Sequence, residues 1–248
     1  MTDERRMSIF EHLAELRTRL LRILIALAVC TLLSLAITRP LLRILIAPMG
    51  DNPPVALTPT EAVSTFMKVA LIAGVTLAMP VIVYQIMRFI APGLTPQEKR
   101  YLLIIAPGAA ISFVVGAAFA YFIMLPAAVP FLQSFLSDIV HQQWAIGKYI
   151  SLVTAMIFWA GLSFETPLLI FFLAKLRIVS ARMLWQNFRY ALIVIAILSA
   201  VITPTHDPFY MALMMGPLII LYFIGMIMAW MARRGEQTNS PPGFQPAG

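Results

Sequence analysis

The sequence has a single cysteine and few charged residues. Cys30 is the single cysteine, which excludes an internal disulfide and a thiolate cluster for a metal. Charged residues make up 12% of the chain and hydrophobic residues 60%. Soluble domains carry about 25% charged residues. The composition therefore excludes an ordinary soluble domain and indicates a polytopic membrane protein.

Signatures of bound cofactors are missing as well. The sequence contains no phosphate-binding loop and no nucleotide motif. Its three histidines, His12, His141 and His206, are too scattered to form a metal-binding set. The sequence thus predicts no metal, no other cofactor and no enzymatic activity.

The sequence contains several long apolar runs, as a membrane protein requires. A transmembrane helix needs about 20 apolar residues, and the runs predict an all-α membrane protein with six transmembrane helices. The predicted spans are 20–37, 66–89, 101–125, 149–174, 190–202 and 209–231. The fifth is short, which local thinning of the bilayer accommodates. We expect residues 1–234 to form a single six-helix membrane domain and residues 235–248 a disordered cytoplasmic tail.

The basic residues predict the orientation of these spans. With the N-terminus inside, 14 of the 18 Lys and Arg residues fall on the cytoplasmic side. The other side receives Arg39, Arg43, Lys68 and Lys148. Because positively charged loops stay inside, both termini are expected to be cytoplasmic. The net charge of +7 is thereby explained without a nucleic-acid partner.

An acidic residue, Glu165, lies inside the fourth predicted span. A carboxylate at the centre of a bilayer costs about 2.5–3.5 kcal/mol, so such a residue is a functional-site hypothesis by default. Ser151 and Thr154 fall on the same helical face. Pro167 removes the amide that would bond the carbonyl of Ser163. The alternative is a protonated glutamate that contributes only to packing.

Three segments match the capping-box pattern [ST]-x-x-E and predict helix starts. These boxes begin at Ser8, Thr58 and Thr95. For Glu98, a role as a helix cap is therefore as good an explanation as a binding role. Glu15 is not a capping residue, and its alternative role is an ion pair with Arg19 four residues along the helix.

Five short motifs follow one another over roughly residues 8–231. They are HLAELRTRL at 12–20, FIAPGL at 89–94 followed by Glu98, FVVGAAFAY at 113–121, GLSFETP at 161–167 and TPTHD at 203–207. Each motif alone is weak. In this order across six predicted spans, they resemble the TatC family, the multispanning core subunit of the twin-arginine protein translocase.

The resemblance implies a glove-like six-helix bundle in the bacterial cytoplasmic (inner) membrane. Such a protein binds the signal peptides of folded proteins, recruits TatA- and TatB-like single-span subunits, and works with the proton gradient. Self-association and contact with membrane lipids are also expected. The implied signal-peptide residues are Glu15, Glu98, Arg17, Phe89, Pro92 and Leu94. Carboxylates suit this role because they hold guanidinium groups through paired, charge-assisted hydrogen bonds.

The resemblance also implies an intramembrane polar site, with Glu165, Thr154 and Ser151 facing partner helices or the inserted signal. Glu165 would act as a hydrogen-bonding group if protonated or as a charge-sensitive gate if ionised. Partner docking is expected at Thr203, Asp207, Tyr210 and Met211. Tyr210-Met211 and Phe223 depart from the family, in which many members carry Ser-Gln and Glu at these positions. Docking is therefore expected to rest more on packing than on hydrogen bonds. A simpler system, in which one TatA-like partner does the work of both TatA- and TatB-like subunits, is also suggested.

The alternative function is a proton- or solute-coupled membrane carrier that titrates Glu165. A carrier has little use for Glu15 and Glu98 beyond local pairing and capping. A signal-peptide receptor needs both of these surface acids. They are therefore the residues that distinguish the two functions.

Overall fold

The computed structural model describes residues 9–50, 52–90, 96–134, 139, 143–202 and 208–237. The helices are α1 (Ile9–Leu35), α2 (Thr38–Ile46), α3 (Glu61–Ile90), α4 (Pro96–Phe119), α5 (Leu125–Ser134), α6 (Ile146–Phe164), α7 (Thr166–Lys175), α8 (Ala181–Gln186), α9 (Phe188–Ile202) and α10 (Pro208–Gln237). Among the described residues, β pairing is confined to one isolated bridge between Val55 and Ala145. The predicted all-α membrane fold is confirmed.

Five segments of these described helices are long and apolar enough to cross a membrane. They are Glu11–Leu35, Glu61–Phe89, Pro107–Ser134, Ile146–Lys175 and Met214–Ala232. The predicted fifth span corresponds to α9, whose apolar stretch Phe188–Ala200 is shorter. A sixth crossing by α9 and the cytoplasmic location of both termini stay predictions. α10 runs three residues into the predicted tail, of which 238–248 lie outside the described residues.

The third span lies further along the chain than the predicted 101–125. The helix does not stop before Pro126 but continues through a π turn at Ala120–Met124 into α5. The π turn ends directly before Leu125 and Pro126, so the regular α-helical bonding is already interrupted next to the residue that has no amide to donate. The predicted end at residue 125 did not allow for this continuation.

The described chain forms two compact units. The first comprises Met1–Ile111 and Val129–Thr154, and the second Ser112–Ala128 and Ala155–Gly248. The chain passes between the units within α4, α5 and α6. The grouping of residues 1–234 as one membrane domain stays a prediction.

In the first unit, α1 packs antiparallel along α3, a contact we name the α1–α3 seam. Its residue pairs are Ser34 with Ala70, Thr31 with Gly74, Arg19 with Gln85 and His12 with Phe89. The Ser34 hydroxyl donates to the buried carbonyl of Ala70. A Cβ on Gly74 would lie 2.6 Å from the Cα of Thr31. Small residues thus let the two backbones touch, as in other membrane helix pairs.

Glu61 joins the start of α3 to two other segments of the first unit. Its Oε2 accepts from the amide of Leu57 at 2.7 Å, and its Oε1 from the amide of Gly147 at 2.9 Å. α3 begins at Glu61, three residues after the predicted cap at Thr58. Both carboxylate oxygens of Glu61 are therefore engaged by backbone donors.

The second unit is centred on the packing of α7 against α10. One cluster of buried apolar residues there comprises Ile170, Ala174, Ile195, Tyr222, Ala229 and Ala232. The Tyr222 hydroxyl donates to the carbonyl of Leu184 at 2.9 Å, so the one polar atom of that ring is satisfied. Gly225 lies against Ile170, where a Cβ would come within 2.6 Å of its Cδ1.

The close backbone contact at the seam makes Gly74 sensitive to substitution. Gly74→Ala places a methyl group against the α1 backbone, and we expect a loss of about 1–3 kcal/mol in the free energy of unfolding. The measurement is thermal denaturation of the purified protein in detergent. Gly216→Ala is the matched control, because nothing lies within 4 Å of a Cβ there. Equal melting temperatures for the two variants would contradict the packing described for the seam.

Candidate functional site

Glu15 lies on α1 in an ion pair with Arg19, one turn further along the helix. Arg19 Nε and Nη2 both donate to Glu15 Oε1, with an Nε–Oε1 distance of 3.1 Å. Arg19 Nη1 donates to Oε1 of Gln85 on α3 at 3.2 Å. The side chains of Glu15 and Arg19 are 14% and 12% exposed. The i,i+4 pair proposed as the alternative role for Glu15 is therefore formed, and it is tied to a second helix.

The second carboxylate oxygen of Glu15 is enclosed. Oε2 is buried, and no hydrogen-bond donor reaches it from the part of the chain that the structure describes. A buried acceptor without a donor loses its hydration without compensation. Such an oxygen calls for an explanation beyond stability, and a ligand that supplies the missing donor is one.

Phe89 lies at the same end of the α1–α3 seam. The ring of His12 stacks on the ring of Phe89, with centroids 4.4 Å apart and an interplanar angle of 25°. Phe89 is one helical turn beyond Gln85 on α3. Glu15 and Phe89, two of the predicted signal-peptide residues, are thus brought together between α1 and α3.

Gln85 was not predicted as a site residue. The residue is 7% exposed, and its side chain accepts a hydrogen bond across the seam. The available signal was an amide side chain inside a predicted span, since polar groups in such spans are retained for a reason. The stack of His12 on Phe89 was also not predicted.

The structure describes the other predicted signal-peptide residues only in part. Arg17 is exposed on α1, and residues two apart on a helix do not share a face with each other. Arg17 is therefore not brought to Glu15. Glu98 lies in the first turn of α4, but its side chain is outside the described part of the chain, as are Pro92 and Leu94. The binding roles of these four residues stay predictions.

Glu165, in the second unit, lies where α6 ends at Phe164 and α7 begins at Thr166. Pro167 occupies the first turn of α7, and the helix is interrupted at Glu165 itself. The sequence predicted only a loss of the donor to the Ser163 carbonyl within one continuous span, so the interruption was not predicted. The Glu165 side chain is 5% exposed. Its Oε1 is buried, with no hydrogen-bond donor in reach among the described residues. A carboxyl group in this state weakens the fold rather than supporting it.

Two of the sequence motifs pack together beside this interruption. A Cβ on Gly116 would lie 2.8 Å from the Cα of Gly161, so α4 and α6 meet backbone to backbone. The rings of Phe119 and Phe164 lie 5.5 Å apart. This close packing encloses the segment that carries Glu165.

Ser151 and Thr154 have partners in the first unit. The Ser151 hydroxyl accepts from Nζ of Lys68 at 2.6 Å and donates to its own helix backbone. The Thr154 hydroxyl donates to the backbone carbonyl one turn earlier. Lys68 was counted among the outer cations, and its bond to Ser151 was not predicted. The grouping of Ser151 and Thr154 with Glu165 stays a prediction.

The predicted docking residues lie around the junction of α9 and α10. Thr203 and Asp207 are outside the described residues, and Tyr210 lies in the first turn of α10 with its side chain outside them. Met211 is half-buried. α9 presents exposed apolar side chains, as a helix in contact with lipid or with a partner helix does. The docking role of these residues stays a prediction.

Comparison with known proteins gives a consistent match. The family model for "Sec-independent protein translocase protein (TatC)" matches residues 11–217. The TatC protein of Carboxydothermus hydrogenoformans is 38% identical over 92% of this chain and 94% of its own. That of Deinococcus radiodurans is 41% identical over 89% of this chain and 85% of its own. A chloroplastic TATC protein of Arabidopsis thaliana is 34% identical over 94% of this chain and 68% of its own.

A solved structure agrees with these sequence matches. A crystal structure of the twin-arginine translocase receptor TatC superposes on this chain with a TM-score of 0.80 and 33% identity. The superposition covers 90% of this chain and 100% of the other. The similarity thus extends over nearly the whole fold.

Substitution of Glu165 separates a structural from a functional role. Leucine removes the buried carboxyl oxygen at similar volume, so Glu165→Leu is expected to keep or slightly raise the melting temperature. The measurement is thermal denaturation in detergent, with Glu165→Gln as the isosteric control. A clear drop in melting temperature for both variants would assign Glu165 to stability instead.

Proposed function

This chain belongs to the TatC family of Sec-independent protein translocase proteins, and we propose that it is the core subunit that binds twin-arginine signal peptides. Membership establishes the general role in Sec-independent protein translocation. Signal-peptide binding is the finer step, and the group around Glu15 supports it. The carrier alternative draws on Glu165 alone and has no such support.

The single observation that carries this proposal is that Glu15 and Gln85 already hold a guanidinium group. Arg19 fills this position, with one oxygen of Glu15 and one of Gln85 as its acceptors. Carboxylate and amide oxygens in this arrangement match the planar fork of arginine better than the point charge of lysine. A signal peptide that presents arginine carries the same chemical group.

The charge of the surrounding surface favours the same ligand. Arg17, Arg22 and Arg88 are exposed on the neighbouring turns of α1 and α3. A cationic signal peptide is repelled by such a surface except where an acid lies within it. Glu15 provides that acid, and the ring of Phe89 provides an adjacent apolar contact.

The remaining residues of the proposed binding site come from the family resemblance. Glu98, in the first turn of α4, is the second acid and the partner for the second signal arginine. The resemblance also assigns Arg17, Pro92 and Leu94 to the site, with Arg17 on a different face of α1 from Glu15. The apolar helix ends next to it would admit the hydrophobic segment of the signal.

The proposal extends to partner subunits and to the driving force. TatA- and TatB-like single-span subunits would dock at α9 and α10, through Thr203, Asp207, Tyr210 and Met211. Glu165, buried with an unpartnered oxygen among the described residues, would engage polar groups of a partner helix or of the inserted signal. Transport would be driven by the proton gradient, with several copies of the chain in the working complex.

The proposed setting is the bacterial cytoplasmic membrane, with six crossings and both termini inside. Several bacterial relatives support this location, although related proteins are also chloroplastic. The proposed role is one of transport and carries no catalytic step of its own.

Photocrosslinking tests the proposed binding site directly. A photoreactive phenylalanine analogue in place of Phe89 is expected to crosslink a signal peptide with Arg-Arg and not the same peptide with Lys-Lys. The matched control carries the analogue at Leu32, which is 68% exposed further along α1. Equal yields for both peptides, or at both positions, would contradict the site. Absence of any crosslink in membranes with intact protein would favour the carrier.

A further inference from the structure

We propose that Arg19 is an internal competitor that keeps Glu15 closed until a signal-peptide arginine displaces it, so that lysine, a weaker ligand for this position, does not gain access. The inference rests on the proposed function and adds a residue that sets the affinity of the site. Arg19 would thus set the threshold that an incoming cation has to exceed.

The first step is that neither oxygen of Glu15 is open to a ligand. Oε1 accepts two bonds from Arg19, through Nε and Nη2. Oε2 is buried and has no donor among the described residues. A guanidinium from outside therefore cannot reach this carboxylate while Arg19 stays in place. Binding at Glu15 requires Arg19 to move.

The second step is that the vacated position fits another guanidinium. Arg19 reaches Glu15 Oε1 and Gln85 Oε1 with different nitrogen atoms of one planar group. When Arg19 leaves, both acceptors lose their donors, and Glu15 becomes an uncompensated, largely buried charge. A ligand arginine restores both sets of hydrogen bonds, so it takes over the role that Arg19 gives up.

The third step is that lysine fails in this exchange. Arg19 is attached one turn away and competes at a high effective concentration, which a ligand has to overcome. A lysine ammonium is a compact, strongly hydrated charge that cannot span the two acceptors as a planar fork does. It therefore gives up more hydration for fewer bonds than Arg19 already makes.

The fourth step is that Arg19 has somewhere to go. It is 12% exposed in the pair and lies near the end of a membrane-spanning helix. Long basic side chains in such positions extend to the water and phosphate layer of the membrane. The displaced guanidinium is thus solvated rather than left in an apolar environment.

The experiment measures the affinity of full-length protein in nanodiscs for fluorescent signal peptides carrying Arg-Arg or Lys-Lys. Arg19→Gln is expected to bind the Arg-Arg peptide more tightly by about two- to fivefold, the range for a partly exposed ion pair. The Lys-Lys peptide is expected to gain by a similar factor, because Arg19 competes with any cation at Glu15. Arg22→Gln is the control, because it removes an exposed positive charge from the next turn of the same helix.

A second variant keeps the test independent of how Arg19→Gln folds. Gln85→Leu removes an acceptor from Arg19 and from the ligand arginine alike, so the affinity for the Arg-Arg peptide should change little while its preference over Lys-Lys falls. Unchanged or weaker Arg-Arg binding in Arg19→Gln, or an unchanged preference in Gln85→Leu, would overturn the competitor role while leaving the proposed function intact. Wild-type protein that binds neither peptide would overturn the proposed function, and this inference with it.

Discussion

The packing of α1 against α3 is the interaction on which the candidate site depends. Only 6% of the residues in the most apolar stretch of α1 are buried, so α1 has few contacts inside the protein besides those with α3. Apolar side chains gain little by leaving lipid for another helix, so the seam has to rely on close contact and buried hydrogen bonds. Gly74 provides the close contact and Ser34 a buried bond, while Arg19 and Gln85 join the helices at the other end. The seam and the binding site are thus parts of one structure.

Three carboxyl groups show how the fold divides structural from functional acids. Glu61 has both oxygens engaged by backbone amides, which makes it a structural junction. Glu15 has one oxygen in an ion pair and one enclosed without a donor in the described chain, and Glu165 also has such an oxygen. Because buried polar atoms are normally satisfied, these two departures mark the residues retained for a purpose other than stability.

The sequence predicted most of what depends on local pattern. Candidate spans follow from hydrophobic length and the Glu15–Arg19 pair from i,i+4 spacing, because each depends on neighbours along one helix. The interruption at Glu165 was not predicted, although Pro167 lies beside it. The bonds of Arg19 to Gln85 and of Lys68 to Ser151 join residues 66 and 83 positions apart, and periodicity does not specify such partners. The continuation of the third span past Pro126 depends on a π turn, which the residue pattern did not reveal. Sequence patterns therefore identified the acidic residues, whereas contacts between helices determined which of their oxygens are hydrogen-bonded.

The central claim is that Glu15 receives the guanidinium of a signal peptide. Its most direct test is a titration of full-length protein in nanodiscs with a fluorescent Arg-Arg peptide, comparing wild type with Glu15→Gln. Glu11→Gln serves as the control, since it removes an exposed acid from the preceding turn of the same helix. We expect Glu15→Gln to lose affinity by at least about tenfold, because a largely buried charge partner is removed, and Glu11→Gln to stay near wild type. Wild-type affinity in Glu15→Gln would contradict the account.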